Sequence, residues 1–268
     1  MKKKRLLTIK KAFGKSYVWL VLLFFYLPII MVIIYSFNNT NSPSSAIWHG
    51  FSVRWYKALF SNASIGVAVR NSLIIALITV GISIALGTPA AISMWERELK
   101  INHFLENLSY LAILLPEIIY GIAFLIWFSL LKLPFGLYSV AFAHSTFCIP
   151  YTIIMVKARL TSLDKSTVEA ARTLGAGKVR AFFDVIVPDI IPAILSSSLL
   201  SFVLSLDNVI ITTFASGSDG TTLPLKIYSM LRLKPSPVIN ALCALMTFVT
   251  LVSVILRYLI DGHRSTKG

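Results

Sequence analysis

Apolar positions along this chain gather into six long runs, at about 17–37, 67–94, 103–130, 137–156, 190–215 and 238–260, with most of the charged residues in the segments between them. A helix that crosses a bilayer needs about 20 predominantly apolar residues, and each run satisfies that length. The pattern predicts six membrane-spanning helices. The first run follows a basic stretch, Lys2, Lys3, Lys4, Arg5, Lys10, Lys11 and Lys15, which invites comparison with a secretory signal. Its apolar core is longer than a signal core and no small-residue cleavage pattern follows, so the expectation is an uncleaved first span.

Composition supports the same class. Of 268 residues, 56% are hydrophobic and 13% charged, and the mean hydropathy is +0.79. A soluble domain has too little interior to hide that much apolar surface. The formal net charge of +14 would suit a nucleic-acid partner, but the cations sit at the ends of the apolar runs. That placement points to membrane orientation instead, and no nucleic-acid partner is expected. With the N-terminus inside, the inner segments hold 18 Lys and Arg and the outer segments 7, which predicts that both termini are cytoplasmic.

Catalytic chemistry finds little footing. Cys148 and Cys243 lie within apolar runs, and His49, His103, His144 and His263 fall in separate segments, so neither a disulfide framework nor a metal site is indicated. The string Gly175-Ala176-Gly177-Lys178 is not a nucleotide loop, because Arg172 and Val179 stand where Gly and Ser or Thr would be needed. No cofactor is expected on this chain. Two outer segments, 38–66 with Trp48, Trp55 and Tyr56, and 216–237, offer either an interfacial aromatic belt or a surface for an external partner.

The fourth and fifth runs are separated by about 33 residues, a length that implies structure or function of its own. Thr167 to Leu174 has strong helix formers at its centre, with Asp164 or Ser166 as N-cap, and Gly175 and Gly177 then break it. A second short helix is predicted from about Lys178 to Val185, with Pro188 and Pro192 marking the start of the fifth span. Ala170 and Ala171 leave a smooth surface, while Leu174, Phe182 and Phe183 offer apolar anchors that solubility alone would not favour. The arrangement has the character of a docking element.

At this point the loop resembles the EAA signature of the membrane subunits of ABC importers. Here it reads Glu169-Ala170-Ala171, Gly175, then Val185-x-Val187-Pro188, with Val conservatively replacing two positions. Further strings, Leu115-Pro116-Glu117, Ala143 to Pro150, Ser205-Leu206-Asp207-Asn208 and Leu223 to Met230, resemble the PotC-type permease subunits of spermidine/putrescine importers. The resemblance implies an all-α integral membrane protein with the type I ABC importer permease fold and cytoplasmic coupling helices. Residues 1–16 would be a basic cytoplasmic N-terminus, 17–260 the six-span permease domain with its loop at about 157–189, and 261–268 a cytoplasmic tail. It also implies a second, similar permease subunit, two copies of a cytoplasmic ATPase that alone uses ATP, and an extracytoplasmic polyamine-binding protein. Glu169, Ala170, Ala171, Leu174, Gly175, Phe182, Phe183 and Pro188 would then couple to the ATPase.

An ionisable group at the centre of a span costs about 2.5 to 3.5 kcal/mol, which makes Glu117 and Asp207 site candidates by default. Along straight helices Glu117 would lie about 20 Å into an outward-running third span and Asp207 about 25 Å into the fifth. Spaced carboxylates suit a cationic solute carrying several amines, and Tyr120 and Trp127 are candidate cation-π faces. Ser197, Ser201, Ser205, Asn208 and Thr212 share one side of the fifth span, where they either line a path or bond across a helix interface, with Asp207 at the edge of that stripe. His144 shares a face with Cys148 and Thr152, which suits an interhelical hydrogen bond better than a proton relay. Pro150 should kink the fourth span without ending it.

The nearest rival is the same machine with another cargo, such as a metal ion, thiamine or an anion, although membrane carboxylates would repel an anion. A channel or secondary transporter working without ATP would leave the loop unexplained, and no internal repeat is evident.

Overall fold

The computed structural model describes residues 2–41, 47–96, 100–233 and 236–265. Arg97, Lys234 and Lys267 of the charge count lie outside the described residues. Among those described the chain is helical, with twelve α-helices: α1 (Lys2–Tyr35), α2 (Arg54–Phe60), α3 (Ala63–Glu96), α4 (Lys100–Leu114), α5 (Glu117–Leu130), α6 (Leu137–Thr161), α7 (Lys165–Thr173), α8 (Lys178–Ala181), α9 (Val187–Asp207), α10 (Ile210–Ala215), α11 (Leu223–Leu233) and α12 (Val238–Ser265). They form two compact units, one from Met1–Ala63 with Ser229–Gly268 and one from Ser64–Tyr228.

In the first unit α1 and α2 both pack on α12. The Asn38 side chain is buried and organises the turn after α1, donating to the Ile47 carbonyl and accepting from the His49 N–H. Two of the three aromatic residues expected at an outer surface are held inward by their polar tips. The Trp55 indole donates to the Asn38 carbonyl at 3.0 Å and the Tyr56 hydroxyl bonds Ser36 at 2.7 Å, whereas Trp48 stays exposed.

In the second unit α3, α6 and α9 surround two buried clusters. One joins Ile75, Val140, Phe147, Cys148 and Ile211; the other joins Met94, Val156, Leu160, Ile186 and Ile190. Close approach is bought by small residues: a Cβ on Gly87 of α3 would stand 2.8 Å from Cβ of Thr152 on α6. At the polar end of this bundle Glu106 of α4 pairs with Lys157 of α6. Arg159 holds Asp189 at the start of α9 through both a 2.6 Å ion pair and a bond to its carbonyl.

Each apolar run of the sequence coincides with helix, but two of the six are interrupted. Four helices, Gly14–Tyr35, Ala63–Glu96, Leu137–Thr161 and Lys178–Asp207, are individually long and apolar enough to cross a membrane. The expected third span is instead two helices, Ile101–Leu114 and Glu117–Leu130, meeting at 105°. Pro116 offers no N–H and disfavours helix at Leu115, so the helix ends there. The expected fifth span ends at Asp207, is extended at Asn208 (φ −72°, ψ 110°), and resumes as α10. In the last apolar run, Val238–Val252 is a shorter apolar stretch within α12. The α6 helix runs through Pro150 without ending, as expected.

Candidate functional site

Two places in the second unit concentrate polar chemistry. The first is the loop between α6 and α9. Asp164 caps α7, its carboxylate accepting the Ser166 N–H at 2.9 Å, which holds this exposed acid below its ordinary titration range. The helix ends in a Schellman turn: Ala176 N–H reaches the Ala171 carbonyl and Gly175 N–H that of Arg172. Gly175 has φ +95°, a conformation that L side chains rarely adopt. A Cβ there would touch nothing, so the demand for glycine is conformational and not steric.

The second loop helix differs from its expected form. It does not stop near Val185 but continues through a π-helical segment, Phe182–Ile186, directly into α9. Pro188 has no N–H for the Asp184 carbonyl, and the widened turn accommodates that gap, with the Val187 N–H reaching back to the Phe182 carbonyl. Helix is therefore continuous from α8 into α9, with no loop between them.

Of the residues singled out for docking, Leu174 is 89% and Phe183 60% exposed, and Val179 joins them at 71%. Val179 carried no sequence signal beyond its helical spacing from Phe183. Phe182 faces the other way, into the cluster of Val156, Leu160 and Ile186, where it anchors the loop to its own bundle. Glu169 lies on the rim of a cleft of about 390 Å³ that also includes Trp95, Glu96, Lys165, Arg172 and Phe182. Ala170 is exposed and Ala171 half-buried on the same helix, and Pro188 stands in the first turn of α9.

The second place is where the two interrupted helices meet. Glu117 is the first residue of α5 and Asp207 the last of α9, and Glu117 lies within the electrostatic range of Asp207 and beside the Asn208 amide. An acid at the first residue of a helix is favoured by the unpaired N–H groups there. Tyr151 of α6 and Cys148 also fall within the field of Glu117.

Packing fixes this meeting point. Gly121, one turn beyond Glu117, lies under Phe214 of α10, and a Cβ there would come within 2.5 Å of the ring. Tyr120 donates its hydroxyl to the Ala112 carbonyl at 2.8 Å, satisfying an acceptor that the break at Pro116 leaves free, and its ring stands edge-on to Phe147.

The serine stripe of α9 turns inward: Ser197, Ser201, Ser205, Asn208 and Thr212 are all buried. Ser205 bonds His144 at 2.9 Å and Asn208 caps α10, its side chain accepting the Ile211 N–H at 2.9 Å. The stripe is thus a helix interface. Asp207, two residues from Ser205 and about 200° around the helix, is exposed. Trp127 is exposed among Phe124 and Phe128, about 15 Å along α5 from Glu117, and is not gathered with the acids.

Residues 83–264 match a family model described as binding-protein-dependent transport system inner membrane component. The chain belongs to that family. It is 34% identical over 245 residues to the spermidine/putrescine transport system permease protein PotC of Escherichia coli strain K12, covering 91% of this chain and 92% of that one. It is 37% identical over 230 residues to the putrescine transport system permease protein PotI of the same strain, covering 83% and 81%.

The fold is that of ABC importer membrane subunits. A bacterial ABC transporter involved in the import of the acidic polysaccharide alginate superposes with TM-score 0.71 at 15% identity over 98% of both chains. A second structure of a bacterial alginate transporter, in complex with its pentasaccharide-bound periplasmic protein, gives 0.66 at 17% identity, over 98% of this chain and 96% of that one. The chain is a multi-pass inner-membrane transport permease and not an enzyme, and it works with the partners that ABC importers generally require.

Proposed function

We propose that this permease conducts polyamines inward, driven by ATP hydrolysis on a separate cytoplasmic ATPase. The observation that carries the cargo assignment is the convergence of Glu117 and Asp207 at two helix breaks. Irregular backbone at membrane depth is tolerated where it lines a cavity or is buried in protein, and two carboxylates within electrostatic range of each other there suit a solute with spaced ammonium groups. Identity with PotC and PotI over most of the chain supports the same cargo class.

A second, similar permease would enclose the other half of the path, with Asp207 and the exposed end of α5 facing the interior. Two ATPase copies would receive the loops through Leu174, Val179 and Phe183, and a polyamine-binding protein would deliver from outside. Both termini would be cytoplasmic, as the distribution of Lys and Arg predicts. Closure of the ATPase would press α8, and α9 with it, switching the path from inward to outward access.

The test is uptake of labelled spermidine and putrescine by vesicles containing the complete transporter, with sulfate and thiamine as competitors. ATP-dependent polyamine uptake unaffected by either competitor is expected. Uptake of sulfate or thiamine in its place would overturn the cargo assignment.

A further inference from the structure

We propose that His144 is a positioning residue for the cation site, a strut that spans the broken α9–α10 helix and sets where Asp207 and Asn208 stand. The inference rests on the assignment of Asp207 to the solute path. Its physical basis is separate.

Among the described residues no backbone hydrogen bond bridges the break to fix the angle between its two halves. His144, fully enclosed on α6, bonds one residue on each side: Nδ1 lies 2.9 Å from Ser205 Oγ on α9 and Nε2 lies 3.0 Å from Thr212 Oγ1 on α10. Asp207, Asn208 and Val209 occupy the interval between those two anchors. A rigid planar ring with nitrogens on opposite edges is well shaped for that span.

The proton count assigns each bond. Thr212 spends its hydroxyl proton on the Asn208 carbonyl at 2.8 Å, so it accepts from Nε2–H. Ser205 then donates to Nδ1, the nearer of its two acceptors, the other being Thr79 Oγ1 at 3.4 Å. The Thr79 hydroxyl of α3 has its own acceptor, the Ala141 carbonyl at 3.5 Å, and does not compete for the imidazole. Ser139 donates to the Ala215 carbonyl at 2.7 Å and fixes the far end of α10 to α6. Removing the imidazole would leave two buried hydroxyls without their shared partner while this second tether remained. The loss would fall on the hinge, with the rest of the packing retained.

The test uses the complete transporter carrying His144→Ala, His144→Gln or Thr212→Val, with Asp207→Asn alongside. Backbone hydrogen exchange over residues 206–212 needs no solute; His144→Ala should accelerate it by about tenfold or more, since local opening follows the lost contacts. Uptake of labelled spermidine should show KM raised about tenfold in His144→Ala, less in Thr212→Val, with Vmax changed far less. His144→Gln, whose amide offers both an acceptor and a donor, should stay nearer wild type by both readouts.

Unchanged exchange or unchanged KM in His144→Ala overturns the proposal. So does a fall in Vmax that matches the change in KM, or an equal loss in His144→Gln. If His144→Ala does not assemble, Thr212→Val carries the same readings and the same contradictions. An unmoved KM in Asp207→Asn means that the path assignment itself has failed. A moved one beside unmoved His144 variants refutes the strut alone.

Discussion

Glu117 begins one helix and Asp207 ends another, and the two acids fall within each other's electrostatic range at the place where both apolar runs are interrupted. Two like charges gathered in a membrane domain are costly unless a cation or a proton compensates them. A passing polyammonium group is such a compensating charge. On this account Glu117→Gln should raise the KM for spermidine by about tenfold, the loss of one charge-assisted contact of about 1.5 kcal/mol. Initial-rate uptake in vesicles measures it, and a normal KM would remove Glu117 from the path.

Gly121 lets Phe214 of α10 pack directly on α5, one turn beyond Glu117. Gly121→Ala should force the ring aside and destabilise the α5–α10 packing by about 1 to 3 kcal/mol, the usual cost of overpacking. Thermal unfolding of the purified complex would show it as a lower midpoint. Gly121→Ala with Phe214→Leu should recover part of the loss.

Tyr120 separates two roles that its ring and hydroxyl play. Tyr120→Phe keeps the aromatic face and orphans the Ala112 carbonyl, so stability should fall by about 1 to 3 kcal/mol with the KM for spermidine unchanged. Tyr120→Leu should additionally raise KM if the ring meets the ammonium groups. The pair of variants, assayed for unfolding and uptake, distinguishes the two.

A docking role for the loop between α6 and α9 predicts a different phenotype. Gly175→Asp puts a side chain at φ +95° and a charge on the exposed loop, and Glu169→Lys reverses a charge at the rim of the cleft. Either should leave ATP hydrolysis uncoupled from uptake or release the ATPase. Coupled uptake at the wild-type ratio in both variants would contradict the docking role.

Acid should loosen the same loop. The Asp164 carboxyl is held below its ordinary range by the Ser166 N–H, so its contribution to the cap is complete above the carboxylate pKa of the unfolded chain and is lost as pH falls through the lower folded value. Exchange of the α7 amides, corrected for intrinsic rates, should differ between wild type and Asp164→Ala at neutral pH. The difference should vanish once the carboxyl is protonated.

Much of the architecture is legible in the residues alone. The apolar runs locate the helices, Asp164 and Gly175 bound α7, and the pattern of the loop leads to the correct family. The breaks are harder to see. Pro116 signals one of them, but it sits inside 28 consecutive positions whose hydropathy reads as a single span. At the other there is neither Pro nor Gly; the signal is Asn208, a residue that prefers to cap helices, placed directly after a charged residue within an apolar run. The inward turn of the serine stripe could not be read from periodicity, because a helical wheel gives the angle between residues and not which neighbour they face. The π-helical passage from Phe182 to Ile186 was hidden for a similar reason: Pro188 reads as a helix start, and only tertiary packing keeps the helix intact before it.

The most direct measurement is ATP-driven uptake of labelled spermidine by vesicles holding the complete transporter, compared between wild type and Asp207→Asn at equal amounts of assembled complex. The account predicts saturable uptake by the wild type and a KM raised about tenfold or more in the variant. Uptake kinetics that are the same in both would contradict it.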